Sequence, residues 1–305
     1  MYVPTSIARS EFVNLRGWRY HLRVWGTPEA SQPPLVLVHG WMDVAASWQF
    51  VVDALRAKRH IVAPDWRGYG LTTPEGPAPD NFWFPDYLGD LDALLDHVAG
   101  ERPVDLVGHS MGGNVATMYA GVRPARIRRL VNLEGFGMPA TRPAQAPGRL
   151  AQWLDEIKAQ RRGDMDLKPY DSAEGVARRL MKTNPRLGAD KAAWLAREWA
   201  RPDATGQWVI LGESAHKVVN ATLYRVEEAL EIYQRIEAPT LSVTASDDSL
   251  SQWWKGRFTL AEYQDRIARI PRLQRAVVQD AGHMMHHDQP EALARLIEDF
   301  IDQTG

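Results

Sequence analysis

The sequence predicts an α/β protein whose mostly parallel central sheet is flanked by helices and interrupted by an inserted helical cap. Three observations carry this. Short apolar, β-branched-rich runs alternate with amphipathic helical patterns up to about residue 135 and again after residue 237, which implies right-handed crossovers between parallel strands. Between them, residues 136–237 hold helical patterns with no convincing strand, a stretch of roughly 100 residues and too long for an ordinary loop. The 305 residues are 45% hydrophobic and 24% charged, a composition that buries a core without staples. The expected division is a core of residues 1–135 and 238–305 and a cap of residues 136–237.

Each element has its own signal. Phe12–Leu15 and Tyr20–Trp25 flank Arg16-Gly17-Trp18 and read as a hairpin with a turn glycine. Leu35–Val38, after two prolines, is the continuous apolar run of a strand buried on both faces. Ser47 is placed to cap a helix through Phe50, Val51, Ala54 and Leu55. His60–Ala63 is a second buried strand, and Leu88, Leu91, Leu94, Leu95 and Val98 give Asp86–Ala99 helical spacing. Val104–Val107 is a strand, and a helix follows from Met111 to about Val122, ended by Arg123-Pro124. Ile127–Leu133 is the next strand. Leu150–Ile157 and Ala192–Ala200 are helices of the insertion. Beyond Pro239 the alternation resumes with strand Thr240–Thr244, helix Leu260–Ile270, strand Arg275–Gln279 and amphipathic helix Glu291–Ile301.

Composition narrows the function. With 38 acidic and 36 basic residues the formal charge is −2, so no basic face for nucleic acid or an anionic membrane is expected. The absence of cysteine excludes disulfide frameworks, thiolate metal sites and cysteine nucleophiles. No apolar run reaches the 18 or so residues of a membrane span, and Met1–Arg16 lacks the apolar core of a signal peptide. The expectation is a soluble, cytoplasmic protein.

The chemistry-bearing segment is Gly108-His109-Ser110-Met111-Gly112, a G-x-S-x-G sequence set between a strand and a helix. A reversal that sharp strains the central residue and leaves no room for a β-carbon two positions away on either side, hence the paired glycines. It lifts a serine hydroxyl above the carboxyl edge of the sheet, at a helix N-terminus whose amides favour developing negative charge.

The chain resembles α/β-hydrolase-fold enzymes with a helical cap. Five segments carry the likeness, in the family's order: Leu35–Trp41, Ala63–Leu71, Val107–Asn114, Pro239–Leu250 and Asp280–Pro290. The resemblance implies Ser110 as nucleophile and His283, in Ala281-Gly282-His283, as general base. It implies Asp248, in the loop after Thr240–Val243, as the favoured acid. Glu134, at the end of the strand after Ser110's helix, is its rival, and Asp247 is one residue out of place. The backbone N–H groups of Met111 and Trp41 match the oxyanion donors. Trp41, Met42, His109, Phe136 and Trp253 are the expected substrate-binding residues. Arg67, in Asp65–Gly70, is read as a structural salt-bridge partner, and His39 as a brace for its loop.

His286 and His287 follow His283 closely, but without a further ligand cluster or an H-E-x-x-H helix no metal site is expected, and no cofactor. His21, His60, His97 and His216 lack motif context and read as surface or structural. The implied activity is hydrolysis of a small-molecule carboxylic ester through an acyl-enzyme. Carbon–carbon bond hydrolase, lactonase, amidase or perhydrolase chemistry uses the same residues. A serine at 110 argues against dehalogenases and epoxide hydrolases, whose alkyl-enzyme needs a carboxylate. A non-catalytic ligand-binding protein on this fold is the alternative from another class.

Overall fold

The computed structural model describes residues 2–303. Strands β1 (Arg9–Leu15) and β2 (Trp18–Trp25) form an antiparallel hairpin in register Leu15 to Trp18. Its two turn residues, Arg16 and Gly17, have φ of 48° and 78°, the mirror-image turn that matches the strands' twist. The sheet continues with β3 (Leu35–Val38), β4 (Ile61–Pro64), the short β5 (Thr73–Pro74), β6 (Val104–His109) and β7 (Ile127–Leu133). In the insertion lie β8 (Ala200–Pro202) and β9 (Trp208–Ile210), and the last strands are β10 (Thr240–Ala245) and β11 (Leu273–Val278). The main sheet runs β1-β2-β4-β3-β6-β7-β10-β11, with β5 beside β2. All pairings from β4 to β11 along this path are parallel, and β1, β2 and β5 are antiparallel additions.

Both faces are buried, as the unbroken apolar runs demand. Pleating sends Leu35 and Leu37 to one side of β3 and Val36 and Val38 to the other, and each pair joins a separate apolar cluster. Helices Phe84–Ala99 and Met111–Val122 cover one face through Leu91, Leu94, Leu95, Val115 and Ala116. Gln49–Ala54 and Pro290–Ile301 cover the other through Val51, Leu293, Ile297 and Phe300. Ser47 does not cap Gln49–Ala54. It lies inside a 3-10 turn, Ala45–Trp48, and its hydroxyl donates to Asp43.

Between β7 and β10 the chain forms helices Ala146–Arg161, Ala173–Thr183, Ala189–Trp199 and Val226–Gln234. It also forms a β8–β9 hairpin that sequence patterning misses, because three-residue strands carry no readable period. Val176, Leu180 and Leu195 pack on Val44, Ala46 and Phe50, seating this segment on the core. Its last helix, Val226–Gln234, packs on Met111–Val122. A β-carbon at Gly121 would stand 2.1 Å from the Ile232 carbonyl oxygen, so only glycine permits that approach. No helix among the described residues is long and apolar enough to cross a membrane.

Candidate active site

β3, β6, β7 and β10 end side by side, and the polar residues gather at their carboxyl ends, where an open α/β sheet forms its crevice. Ser110 follows β6 directly and has φ 53° and ψ −117°, a conformation non-glycine residues avoid. The crowding that forces glycine at the flanks is explicit. A β-carbon at Gly108 would meet the Gly112 carbonyl oxygen at 2.4 Å, and one at Gly112 would meet those of Val38 and His39 at 2.5 Å. The Ser110 N–H donates to the Leu133 carbonyl at 2.8 Å, tying the turn to the end of β7.

The next residue, Glu134, also has positive φ, 50°, and is 2% exposed. Its backbone N–H donates to Val243 O at 3.1 Å, and its Oε1 accepts the Ala245 N–H at 2.8 Å. Oε2 lies 2.7 Å from His283 Nδ1. A carboxylate only accepts, so Nδ1 carries the hydrogen and Nε2 is left as the basic nitrogen. His283 is therefore oriented by Glu134. Asp248 is elsewhere: it is exposed, and its carboxylate accepts the Ser251 N–H at 2.9 Å as the N-cap of helix Ser249–Trp254. The reason is local, since the chain starts a helix three residues after β10 and uses Asp248 to begin it. Asp247 pairs instead with Arg186 of the insertion, at 2.8 and 3.2 Å.

Two backbone segments approach Ser110. Met111 opens helix Met111–Val122, where the first N–H groups lack intrahelical partners. Gly40 passes so close that a β-carbon there would lie 3.0 Å from that of Ser110, which sets the start of the Trp41 loop against the Ser110 side chain. His39 braces this loop, its Nε2 accepting the Trp66 N–H and its carbonyl the Trp66 indole, both at 2.9 Å. Met42 turns the loop with φ 54°. The Trp41 indole donates to His216 O at 3.2 Å. The His216 ring is stacked between Tyr69 and Phe82, with centroids 3.8 and 3.7 Å away, and burial lowers its pKa to about 3. The stack ties the insertion to Tyr69 and Phe82, the indole contact ties it to the Trp41 loop, and nothing in the sequence around His216 signals either.

The expected pocket residues divide. Trp41 and Trp253 are half exposed, and the Trp253 ring stands edge-on to His283 at 4.2 Å. Met42 is partly buried. His109 and Phe136, by contrast, are buried. His109 is 2% exposed, and its Nε2 donates to the His283 carbonyl at 2.8 Å. Burial, with His286 and His283 adjacent, pushes its pKa well below the ordinary histidine value, so this brace is neutral. Phe136 is packed in the core, edge-on to Tyr263 at 4.9 Å. Arg67 holds buried Asp90 at 2.6 Å, the structural salt bridge expected of it. Behind His109 lie His286 and His287, which the fold joins to Asp43 in one buried group.

A family model described as alpha/beta hydrolase fold matches residues 33–290. The chain is 28% identical over 293 residues to a serine hydrolase-like protein of Danio rerio, covering 92% of this chain and 86% of that one. A serine hydrolase-like protein of Dictyostelium discoideum is 25% identical, covering 92% and 77%. Among solved structures, a thioesterase domain from the curacin biosynthetic pathway superposes with a TM-score of 0.81 at 23% identity, covering 96% of this chain and 99% of that one. An esterase from Mycobacterium tuberculosis gives 0.69 at 19%, covering 97% and 92%. At these identities the solved structures speak to the fold.

Proposed function

Because this chain belongs to the alpha/beta hydrolase fold family, we propose that it is a serine hydrolase cleaving carboxylic esters of small to medium size. The observation that carries this reading is the 2.7 Å contact between Glu134 Oε2 and His283 Nδ1 beside the strained Ser110 turn. In the proposed cycle His283 Nε2 takes the Ser110 hydroxyl proton as Oγ attacks the ester carbonyl. The tetrahedral oxyanion accepts hydrogen bonds from the Met111 and Trp41 amides. Its collapse breaks the ester C–O bond, and the imidazolium returns the proton to the departing alkoxide. Water, deprotonated by His283, then attacks the acyl-enzyme, and collapse releases the acid and restores the Ser110 hydroxyl. Glu134 holds the tautomer and offsets the transient positive charge. Trp41 and Trp253, the aromatic surfaces beside these groups, are the proposed substrate contacts.

Fluorophosphonate labelling tests the reading. Wild type is expected to label and Ser110→Ala, correctly folded, to stay unlabelled. A panel of p-nitrophenyl esters of graded chain length, run beside a lactone and an amide, tests the bond. Turnover of the amide or lactone with none of the esters overturns the ester assignment. Folded protein that neither labels nor turns over overturns the enzyme.

A further inference from the structure

We propose that Asp43, His286 and His287 form a buried binding site for a divalent transition-metal ion of the zinc, cobalt and nickel class. One ligand atom from each residue lies within 4.8 Å of the other two, and the side chains belong to residues 3%, 1% and 4% exposed. Their hydrogen bonding is lopsided in a way that a cation explains. Asp43 Oδ1 accepts the Val44 N–H at 2.9 Å, the Trp199 indole at 3.0 Å and the Ser47 hydroxyl. Among the described residues Asp43 Oδ2 has no hydrogen-bond partner, and neither has His287 Nε2. His286 Nε2 faces that bare oxygen at 3.5 Å, too far for a full hydrogen bond. A buried polar atom ordinarily has a partner, and a cation held between these side chains would supply one.

The donor set decides the class. Two imidazoles and one carboxylate suit zinc, cobalt(II) or nickel(II), whereas magnesium and calcium want oxygen alone. The three donors on Asp43 Oδ1 act as the outer shell that aims a ligating carboxylate. Trp48 and Phe50 pack their rings on His286 and His287 at 5.2 and 5.5 Å, lining the site with aromatic surface. The His286 ring is 4.4 Å from that of His109, which holds the His283 carbonyl, so the site lies one imidazole behind the loop carrying the base. Of the three histidines in His283-x-x-His286-His287 only the last two join this group, and the fold brings Asp43 to them from the other end of the chain.

The test uses the full chain. Protein stripped of metal is incubated with zinc chloride, desalted and assayed for bound metal by mass spectrometry, beside Asp43→Asn and His287→Phe, with folding checked by circular dichroism. The expected result is about one zinc per wild-type chain and about a tenfold loss in each folded variant. Zinc-free wild type, or a folded variant that keeps the wild-type amount, overturns the proposal. Should neither variant fold, cobalt(II)-loaded wild type decides by X-ray absorption: a shell with two imidazoles supports the site, and one without imidazole overturns it. None of these readouts involves turnover, so the outcome is separate from that of the ester reading.

Discussion

Glu134 and His283 meet across 149 residues of sequence, with Oε2 2.7 Å from Nδ1 while Oε1 is pinned by the Ala245 amide at 2.8 Å. Both carboxylate oxygens are thus committed, one to backbone and one to imidazole. Glu134→Gln replaces the Oε2 acceptor by a group that is as ready to donate, which favours the wrong tautomer. The expected loss in kcat/KM is about 10³ to 10⁴-fold. Asp248→Asn exchanges one good N-cap for another and is expected to stay within about threefold of wild type. Steady-state kinetics of both variants on one ester checks this, and the opposite ranking would return the acid role to Asp248.

The glycines flanking Ser110 predict a stability effect that needs no substrate. An alanine β-carbon at 112 would press on two carbonyl oxygens at 2.5 Å, and backbone does not yield as a flexible side chain does. Gly112→Ala is expected to cost about 2 kcal/mol or more, seen as a lowered melting temperature. Gly148 is the control: it lies in helix Ala146–Arg161 with nothing within 4 Å, and alanine there is expected to stabilise by about 0.5–1 kcal/mol.

Asp105 on β6 supplies a pH dependence. Burial raises its pKa from 3.8 to about 6, and the Arg128 ion pair at 2.6 Å offsets that only in part. The folded state therefore holds this proton more tightly than the unfolded chain does. The group's contribution is fully present below about pH 4, is lost as pH rises to about 6, and is flat above. The shift corresponds to about 3 kcal/mol. Relative to Asp105→Asn, wild type is expected to lose stability across that window in urea melts. A gap that widens in favour of wild type with rising pH would refute the assignment.

The Trp41 indole is tied to the insertion through His216 O, while the preceding residue, Gly40, packs against Ser110. Trp41→Phe keeps an aromatic ring and the backbone but cuts the tether, a hydrogen bond worth about 1 kcal/mol. The expected outcome is an about fivefold lower kcat with little change in melting temperature. An unchanged kcat would mean that the loop holds its position without the insertion.

The sheet and its nucleophile turn were legible because each rests on a strong local signal. Leu35–Val38 and Val104–Val107 are apolar runs bounded by loops, and two flanking glycines admit few alternatives to a sharp reversal at Ser110. The carboxylate that meets His283 was harder to read, because Asp248 and Glu134 both stand just past strand ends. Only the start of helix Ser249–Trp254 and the positive φ of Glu134 separate them. The β8–β9 hairpin, the clamp on His216 and the convergence of Asp43 with His286 come from tertiary packing between distant segments, which leaves no trace in local periodicity.

Glu134 lies upstream of the insertion, directly after β7. Ser110 and the carboxylate proposed to orient His283 accordingly arise from one uninterrupted strand–helix–strand unit, and only the imidazole comes from beyond the insertion. The stretch that follows β10 is thereby released from holding a charge in register. It carries Trp253 beside His283, so under the proposed cycle the aromatic surface it offers to substrate can be changed without touching Ser110, Glu134 or His283.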